Sequence, residues 1–475
     1  MVRKLFVVVI GVVVVAAGMF AAGYRFSVDG TGKFPRFLGT TDYDALEADR
    51  ARQREVAPVA PVAPVAPVAP VAPVAPVAPI APVAPVVPDG QWTDFRGPNR
   101  DGRYVGPAIR TSWPREGLPL EWKQPVGGGY ASFVVADGKA FTIEQRRNQE
   151  VIAAYDLKTG REAWTDGWTA NFQEGMGGDG PRATPTYHEG RIYALGAEGE
   201  LRVVDAAGGK MVWRRNILTD NGASNLSWGM SGSPLVVDDK VIVLPGGTRG
   251  SSVVAYNKAT GSVVWKSQDD EQAYVSPMLV TLGGVRQLLI VSAERAMGLS
   301  VDAGRLLWQY RWDTFNGINV AQPIVFAHNG NDRIFLSASY GKGAAVLELT
   351  RDGDRFQTRT IWENQRMKNK FSSSVFRDGF IYGLDESILA CIDANSGDQR
   401  WKGGRYGYGQ IMLAADHLVV LTEDGEVVLV NASPSAHQEV ARFQAIRGKS
   451  WNHPVITGGR LLVRNIHEMA AFNIR

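Results

Sequence analysis

Asp393-Ala-Asn-Ser-Gly397-Asp-Gln-Arg-Trp401 reads as the tight turn between two strands, followed by a tryptophan that locks the second strand onto its neighbour. The spacing, an Asp or stand-in with Gly four and Trp eight residues on, recurs at Asp156/Gly160/Trp164, Asp205/Gly209/Trp213 and Asn257/Gly261/Trp265, and more loosely at Ser300/Gly304/Trp308. Trp362 closes a longer hairpin, Phe443 takes the tryptophan place near the end, and Trp122 precedes them all. That makes eight docking positions, 39 to 54 residues apart. Self-similarity at this period marks a propeller or solenoid, because one unit cannot bury both apolar faces until neighbours stack on it.

Each unit opens with a short apolar strand a, often started by proline as at Pro185, Pro234, Pro277, Pro323 and Pro454, a position where a strand tolerates proline. Strands b and c follow, then the Asp/Gly turn, then strand d with the tryptophan. The last unit stops after a third strand at 469–474, and Leu120-Glu-Trp-Lys-Gln-Pro125 is a fourth strand with nothing before it. Joining the two completes an eighth blade and closes the ring, which removes open edges. The predicted fold is all-β, an eight-bladed β-propeller over residues 119–475, with an N-terminal transmembrane helix and a Pro-rich linker.

Ahead of the propeller, residues 5–22 are an unbroken run of apolar or small residues after Arg3 and Lys4. A bilayer needs ~20 residues, and positive charge on the N-terminal side keeps that end in the cytoplasm. The expectation is an uncleaved anchor over 1–24, single-pass in a bacterial inner membrane, with the propeller in the periplasm. A cleaved signal peptide is the competing reading; the length of the run and Met19 near the cut argue against it. No Cys ends the segment, so lipid attachment is not expected. Residues 25–56 form a polar juxtamembrane segment whose charged patch, 42–55, reads as a short helix. In the linker, 57–90, every third residue from Pro58 to Pro88 is proline, 11 of the 25 in the chain. That pattern dictates polyproline II, a stiff spacer of roughly 100 Å at ~3.1 Å per residue. A lead-in, 91–118, contains the turn-rich Asp94-Phe-Arg-Gly-Pro-Asn-Arg-Asp-Gly102 and packs against the propeller.

Several functions are argued against. The net charge of +3 comes with no Lys/Arg stripe interleaved with aromatics, so no nucleic acid is expected. Cys391 is alone, which excludes a disulfide, zinc spacing and haem attachment, and its apolar setting reads as a buried strand residue. Gly175-Met-Gly-Gly-Asp-Gly180 matches a dinucleotide fingerprint, but Pro181 and a strand follow it instead of a helix. His188, His328, His417 and His437 fall in separate turns and read as surface residues, not metal ligands. No catalytic residue is identified.

Ala154-Tyr-Asp-Leu-Lys-Thr-Gly-Arg-Glu-Ala-Trp164 and its copies, with the strand starts Ser233-Pro234 and Ser276-Pro277, resemble the pyrroloquinoline-quinone-like (PQQ-like) repeat family. These eight-bladed propellers include quinoprotein alcohol dehydrogenases and BamB-like assembly scaffolds. The resemblance implies a scaffold, monomeric, without cofactor, that binds a protein partner in the cell envelope. The alternative it implies is a PQQ-dependent oxidoreductase acting on alcohols or sugars, with a quinone in the funnel, calcium held by Glu/Asn/Asp oxygens and an Asp base. The chain departs from that pattern: Cys391 cannot form the adjacent-cysteine disulfide, and Asp179, Glu294 and Asn319 are candidates by location only.

The topology places the loops before strand a, and those between b and c, around one mouth of the central channel. Tyr130, Arg182, Trp228, Tyr274, Asn319, Lys370, Gln410, Trp451 and His453 fall there and are the candidate ligand-binding residues. Their identities differ from blade to blade, as a site for an asymmetric ligand requires. The bland alternative is that Trp228 and Trp451 plug the channel and the charges are solvated.

Overall fold

The computed structural model describes residues 2–22, 24–25, 36–37, 42–55 and 90–475. Eight antiparallel sheets form the blades. Blade 1, for example, runs Val134–Ala136, Lys139–Arg146, Gln149–Asp156 and Glu162–Thr169 as strands a to d. In blade 8 strands a to c are Val455–Thr457, Arg460–Arg464 and Glu468–Asn473, and Leu120–Pro125 supplies strand d, with Met469 opposite Gln124. The ring is therefore closed by backbone hydrogen bonds between sequence-distant segments. Strand a of neighbouring blades lies innermost, around the axis.

The Asp/Gly turn and the tryptophan work as one joint. Asp156 Oδ1 accepts the N–H groups of Lys158 and Thr159, and Asp393 Oδ1 those of Asn395 and Ser396, so the carboxylate caps the turn. Gly160, Gly209, Gly261, Gly304 and Gly397 then take φ between 66 and 74°, and the indole of the preceding blade lies flat against each. A Cβ on Gly160 would sit 2.5 Å from the Trp122 ring, and one on Gly209 2.5 Å from Trp164. The indole N–H completes the joint by donating to a carbonyl of the next blade: Trp122 to Leu157 (3.0 Å), Trp164 to Ala206 (3.1 Å), Trp213 to Lys258 (3.0 Å), Trp265 to Val301 (3.2 Å), Trp362 to Ala394 (3.0 Å) and Trp401 to Ser433 (2.8 Å). In every blade the pairing of strands c and d slips by one residue beside this position, a β-bulge that re-aims the side chain.

Two joints depart from the pattern. Trp308 donates to Gln287 Oε1 of its own blade (2.6 Å), because blade 5 replaces the short turn with a long hairpin, Gly343–Asp352 and Arg355–Asn364. In blade 7 the residue opposite the bulge is Ala441, so Phe443 lies two positions beyond the tryptophan place. Its ring still lies where a Cβ on Gly117 would clash, and it meets Phe472 edge-on at 5.0 Å. Gly117 thus supplies the missing turn glycine for a blade whose turn is interrupted by the chain ends.

The N-terminal expectations need correction. Helix α1 spans Val2–Ala21. Among the described residues no helix is long and apolar enough to cross a membrane, which overturns the single-pass inner-membrane anchor and the membrane contact through it. The uncharged part, residues 5–21, is about 26 Å long at 1.5 Å per residue, short of a ~30 Å hydrocarbon core. The charged patch does form a helix, α2, Tyr43–Glu55. It lies against the seam of blades 8 and 1: the buried Arg50 donates to Pro125 O (2.6 Å), pairs with Glu162 (3.4 Å) and stacks 5.1 Å from the Tyr155 ring. The proline tract lies outside the described residues.

The lead-in crosses the channel and closes it at one end. Trp92 exchanges backbone hydrogen bonds with Val135 of blade 1, and Thr93 O accepts the N–H of Tyr187 in blade 2. The innermost strands leave carbonyls facing the axis, away from water, where an unmet acceptor is costly. Arg100 meets them: it donates to Ser233 O (3.1 Å), Pro277 O (3.0 Å) and Pro234 O, and to Thr186 Oγ1 (3.1 Å). Asp94 Oδ1, 3.1 Å away, balances its charge. Arg96 donates to Ser373 O (3.2 Å) and Ser374 O (2.8 Å) in blade 6. Burial pulls Arg96 down to about 10, still protonated at neutral pH. Arg103–Tyr104 then pairs in parallel with Leu413 and Ala414 of blade 7. Above this plug Phe95 meets His453 of blade 8 edge-on at 6.1 Å. Burial and then the Arg96 guanidinium push His453 down to about 3.

Two outcomes follow for stability. Gly209→Ala adds a left-handed penalty of roughly 1–2 kcal/mol and an overpacking cost of about 1–3 kcal/mol, whereas Gly138→Ala, also at φ 72° but with nothing within 4 Å, adds only the first. Equal losses in guanidinium denaturation would contradict the joint. For His453, the unfolded chain takes up a proton near 6.5 but the folded chain only near 3, so stability is intact above 6.5 and is lost as pH falls towards 3. The slope reaches about 1.4 kcal/mol per pH unit. Glu150, pushed up to about 7 by burial, acts in the opposite sense between 4.5 and 7, so the readout is the difference between wild type and His453→Gln. Parallel stability profiles from pH 6.5 to 4 would contradict the burial of a neutral imidazole.

Candidate functional site

Opposite the plug the channel opens as a funnel of about 470 Å³, within the range of ligand sites. The loops that enter each strand a supply most of its wall, since that is where eight chain crossings converge. Eight of the nine predicted residues line it: Tyr130, Arg182, Trp228, Tyr274, Lys370, Gln410, Trp451 and His453. Asn319 does not. It is buried, and its amide donates to the carbonyls of Ser292 (2.9 Å), Ala293 (3.4 Å) and Trp312 (3.2 Å), so it holds the blade 4 to blade 5 crossover together.

Aromatic rings dominate the wall. Tyr130 and Phe371 flank Trp451 at 5.2 and 4.5 Å, and Trp228 packs on Tyr274 at 5.7 Å. Burial raises the Tyr274 hydroxyl to about 12, so it stays neutral. Cations are laid over these rings. Arg182 lies 4.6 Å from the Phe172 ring and 5.6 Å from that of Tyr130, and its N–H groups donate to Gly178 O and Gly180 O. Lys370 is 4.5 Å from the Tyr408 ring and 5.2 Å from Phe371, and Lys449 is 3.6 Å from Trp451.

Most polar atoms of the predicted set are engaged in shaping the wall. Tyr130 Oη donates to Gly177 O (2.6 Å), Gln410 Nε2 to Phe371 O (2.8 Å), and Trp451 Nε1 to Glu423 Oε1 (2.9 Å). His453 lies near Pro454 O (2.7 Å) and Ile411 O (3.1 Å), and as a neutral ring donates to one of them. A buried ion cluster fixes the entry to Tyr130. Glu144 Oε2 accepts the N–H of Gly127 (2.7 Å) and Arg464 donates to Gly127 O (3.0 Å). Burial pushes the Glu144 carboxyl up, but the Arg146, Arg464 and Arg50 guanidinia overcome it and hold the group at about 2.

Sequence reasoning missed Phe95, Met176, Phe315, Tyr340 and Phe371, which also line the funnel. Tyr340, between strands b and c of blade 5, and Phe371, beside Lys370, lay in the right loops and were available to it. Phe95 carried no signal, because only the path of the lead-in through the channel puts it on the funnel floor. Met176 and Phe315 stand at the lip, 47% and 66% exposed. Of the remaining candidates by location, Asp179 Oδ1 accepts the N–H of Glu174 in its own loop (3.1 Å), and Glu294 is exposed and does not line the funnel. The expected buried Cys391 is buried in blade 6, and burial raises its thiol to about 12.

The family model described as outer membrane protein assembly factor BamB matches residues 147–403. Outer membrane protein assembly factor BamB of Yersinia pestis is 25% identical over 297 residues, 58% of this chain and 72% of that protein. A 1-butanol dehydrogenase (cytochrome c) of Thauera butanivorans is 27% identical over 163 residues, 33% of this chain, which spans only 23% of the dehydrogenase. The crystal structure of a quinohemoprotein alcohol dehydrogenase from Pseudomonas putida overlays with a TM-score of 0.60 at 14% identity, over 81% of this chain and 80% of that one, a likeness of fold. With the repeat joints present in the blades and more than half of the sequence matched, the chain belongs to the PQQ-like repeat propellers typified by the assembly factor BamB.

Proposed function

We propose that this propeller is a non-catalytic scaffold that binds a protein segment at its funnel, as the BamB relatives' name of assembly factor suggests. The observation that carries the reading is the contrast between lip and wall. Met176 and Phe315 present apolar side chains to water, while the polar atoms of Tyr130, Arg182, Gln410 and Trp451 are committed to internal hydrogen bonds. Exposed apolar residues at the rim of an aromatic funnel fit a surface that a partner covers. A general base would need an accessible group instead.

The dehydrogenase relatives favour a second reading, quinone-dependent oxidation. The donor chemistry of the funnel does not fit a calcium-held quinone. Among the described residues no carboxylate lines the funnel, and no group of three His, Cys, Asp or Glu side chains is placed to hold a metal.

A photo-crosslinking residue at Phe315 in cells is expected to capture a discrete protein, and one at Asp354, fully exposed on the far hairpin of blade 5, is expected not to. Equal capture at both sites, or none at Phe315, contradicts the scaffold reading. Saturable quinone binding with calcium-dependent alcohol oxidation would replace it by the second.

A further inference from the structure

The glycine-rich stretch 172–180, between strand d of blade 1 and strand a of blade 2, folds on itself. Its neck is closed by Gly180 N–H donating to Phe172 O (3.1 Å), and its body by Gly178 N–H donating to Glu174 O (3.0 Å). Glu174 N–H donates to Asp179 Oδ1 (3.1 Å), and the Glu174 carboxylate accepts the N–H groups of Met176 (3.0 Å) and Gly177. Arg182 braces the base, donating to Gly178 O and Gly180 O with its guanidinium 4.6 Å from the Phe172 ring. Just outside the neck, Pro181 O accepts the N–H groups of Tyr130 (2.7 Å) and Ala131 (3.3 Å), so the base is fixed to blade 1. A compact loop with joined ends and its own bonds is an Ω-loop.

The tip meets the funnel wall differently. One carbonyl, Gly177 O, takes donors from two other entry loops: Tyr130 Oη (2.6 Å), before blade 1, and Lys449 Nζ (2.9 Å), before blade 8. A Cβ on Gly177 would stand 3.0 Å from Trp228 Cδ1, and one on Gly178 2.8 Å from Tyr130 Oη, so glycine lets the tip lie down on both rings. Met176, the apolar side chain of the tip, stays half in water and adds little hold. The loop is therefore bonded firmly within itself and at its base, while two side-chain hydrogen bonds to a single acceptor tie its free end.

We infer that residues 172–180 are a flap over the funnel, hinged at Phe172 and Gly180 and latched shut by Tyr130 and Lys449 on Gly177 O. When the latch opens, the flap swings as a body and uncovers Trp228 and the mouth. Hinges of this kind are a few residues at the ends of an element that absorb the backbone change, and Gly180, at φ 86°, is free of the Cβ that restricts it. The donors of the latch belong to two blades, so the flap also ties blade 8 to blade 1 across the ring closure. The inference goes beyond the scaffold reading and holds whatever enters the funnel.

The test uses the full chain with spin labels on Met176→Cys, at the flap tip, and Arg311→Cys, 85% exposed at the end of strand d of blade 4; the native Cys391 is buried. Pulsed dipolar spectroscopy reads the distance between the labels. A closed distance and a longer open one are expected, with the open-to-closed ratio raised about fivefold by Tyr130→Phe and further when Lys449→Met is added. Hydrogen exchange supplies the second readout. The amides of Gly177, Gly178 and Gly180 are bonded inside the flap, so Tyr130→Phe is expected to leave their exchange unchanged. A single distance that neither latch variant moves overturns the flap. A longer distance accompanied by loss of amide protection means local unfolding, and overturns it too. Lys449 is buried, so if the double variant melts lower the decision falls to Tyr130→Phe, which removes only a hydroxyl. Capture at the Phe315 crosslinker tests the scaffold reading separately.

Discussion

An indole laid on a glycine is the contact from which the ring is built. A tryptophan at the start of strand d can reach the next blade only if that blade offers a surface without a side chain, and the turn glycine offers it. The same glycine must take a left-handed φ to bring the chain round. One residue type therefore satisfies two demands, and the indole N–H adds a hydrogen bond to a carbonyl that the turn leaves unpaired. The joint is directional, from each blade to the next, so stability propagates round the ring and depends on closure. Closure is supplied by strand d of blade 8 from the N-terminal side of the propeller, with Gly117 standing in for the turn that the chain ends interrupt.

Closing a ring creates a second problem along its axis. Innermost strands have no partner on one side, and their carbonyls face a narrow channel. Two guanidiniums on a nine-residue stretch resolve it, each planar fork reaching several carbonyls at once, as a lysine could not. The plug has a functional corollary. It shuts one end of the channel and leaves the other as a blind funnel with Phe95 at its floor, so the structural need for a plug determines the depth of the candidate site.

Much of this was legible in the sequence, for a physical reason: the joint requires Asp, Gly and Trp at fixed spacing, and such residues cannot be exchanged freely. The eight blades follow from counting along that repeat, and eight of the nine predicted funnel residues follow from the loops that the count places before each strand a. What escaped it was whatever the repeat does not govern. Asn319 sits in a loop that enters a strand a but turns inward to bind three carbonyls, and Phe443 is displaced two places by a bulge whose register no spacing reveals. Arg96 and Arg100 lie in a turn-rich stretch where a solvated arginine is the ordinary outcome; only the path of the chain through the axis buries them. The apolar N-terminal run was read by composition alone, and its uncharged length falls short of a span.

Indole hydrogen exchange tests the joint most directly. If the joints hold the ring, the Nε1–H protons of Trp122, Trp164, Trp213, Trp265, Trp362 and Trp401 exchange together, at the rate of global unfolding, while that of Trp228 at the funnel exchanges orders of magnitude faster. Exchange of the six as fast as Trp228, or at six unrelated rates well above global unfolding, would contradict a ring held by indole-on-glycine contacts.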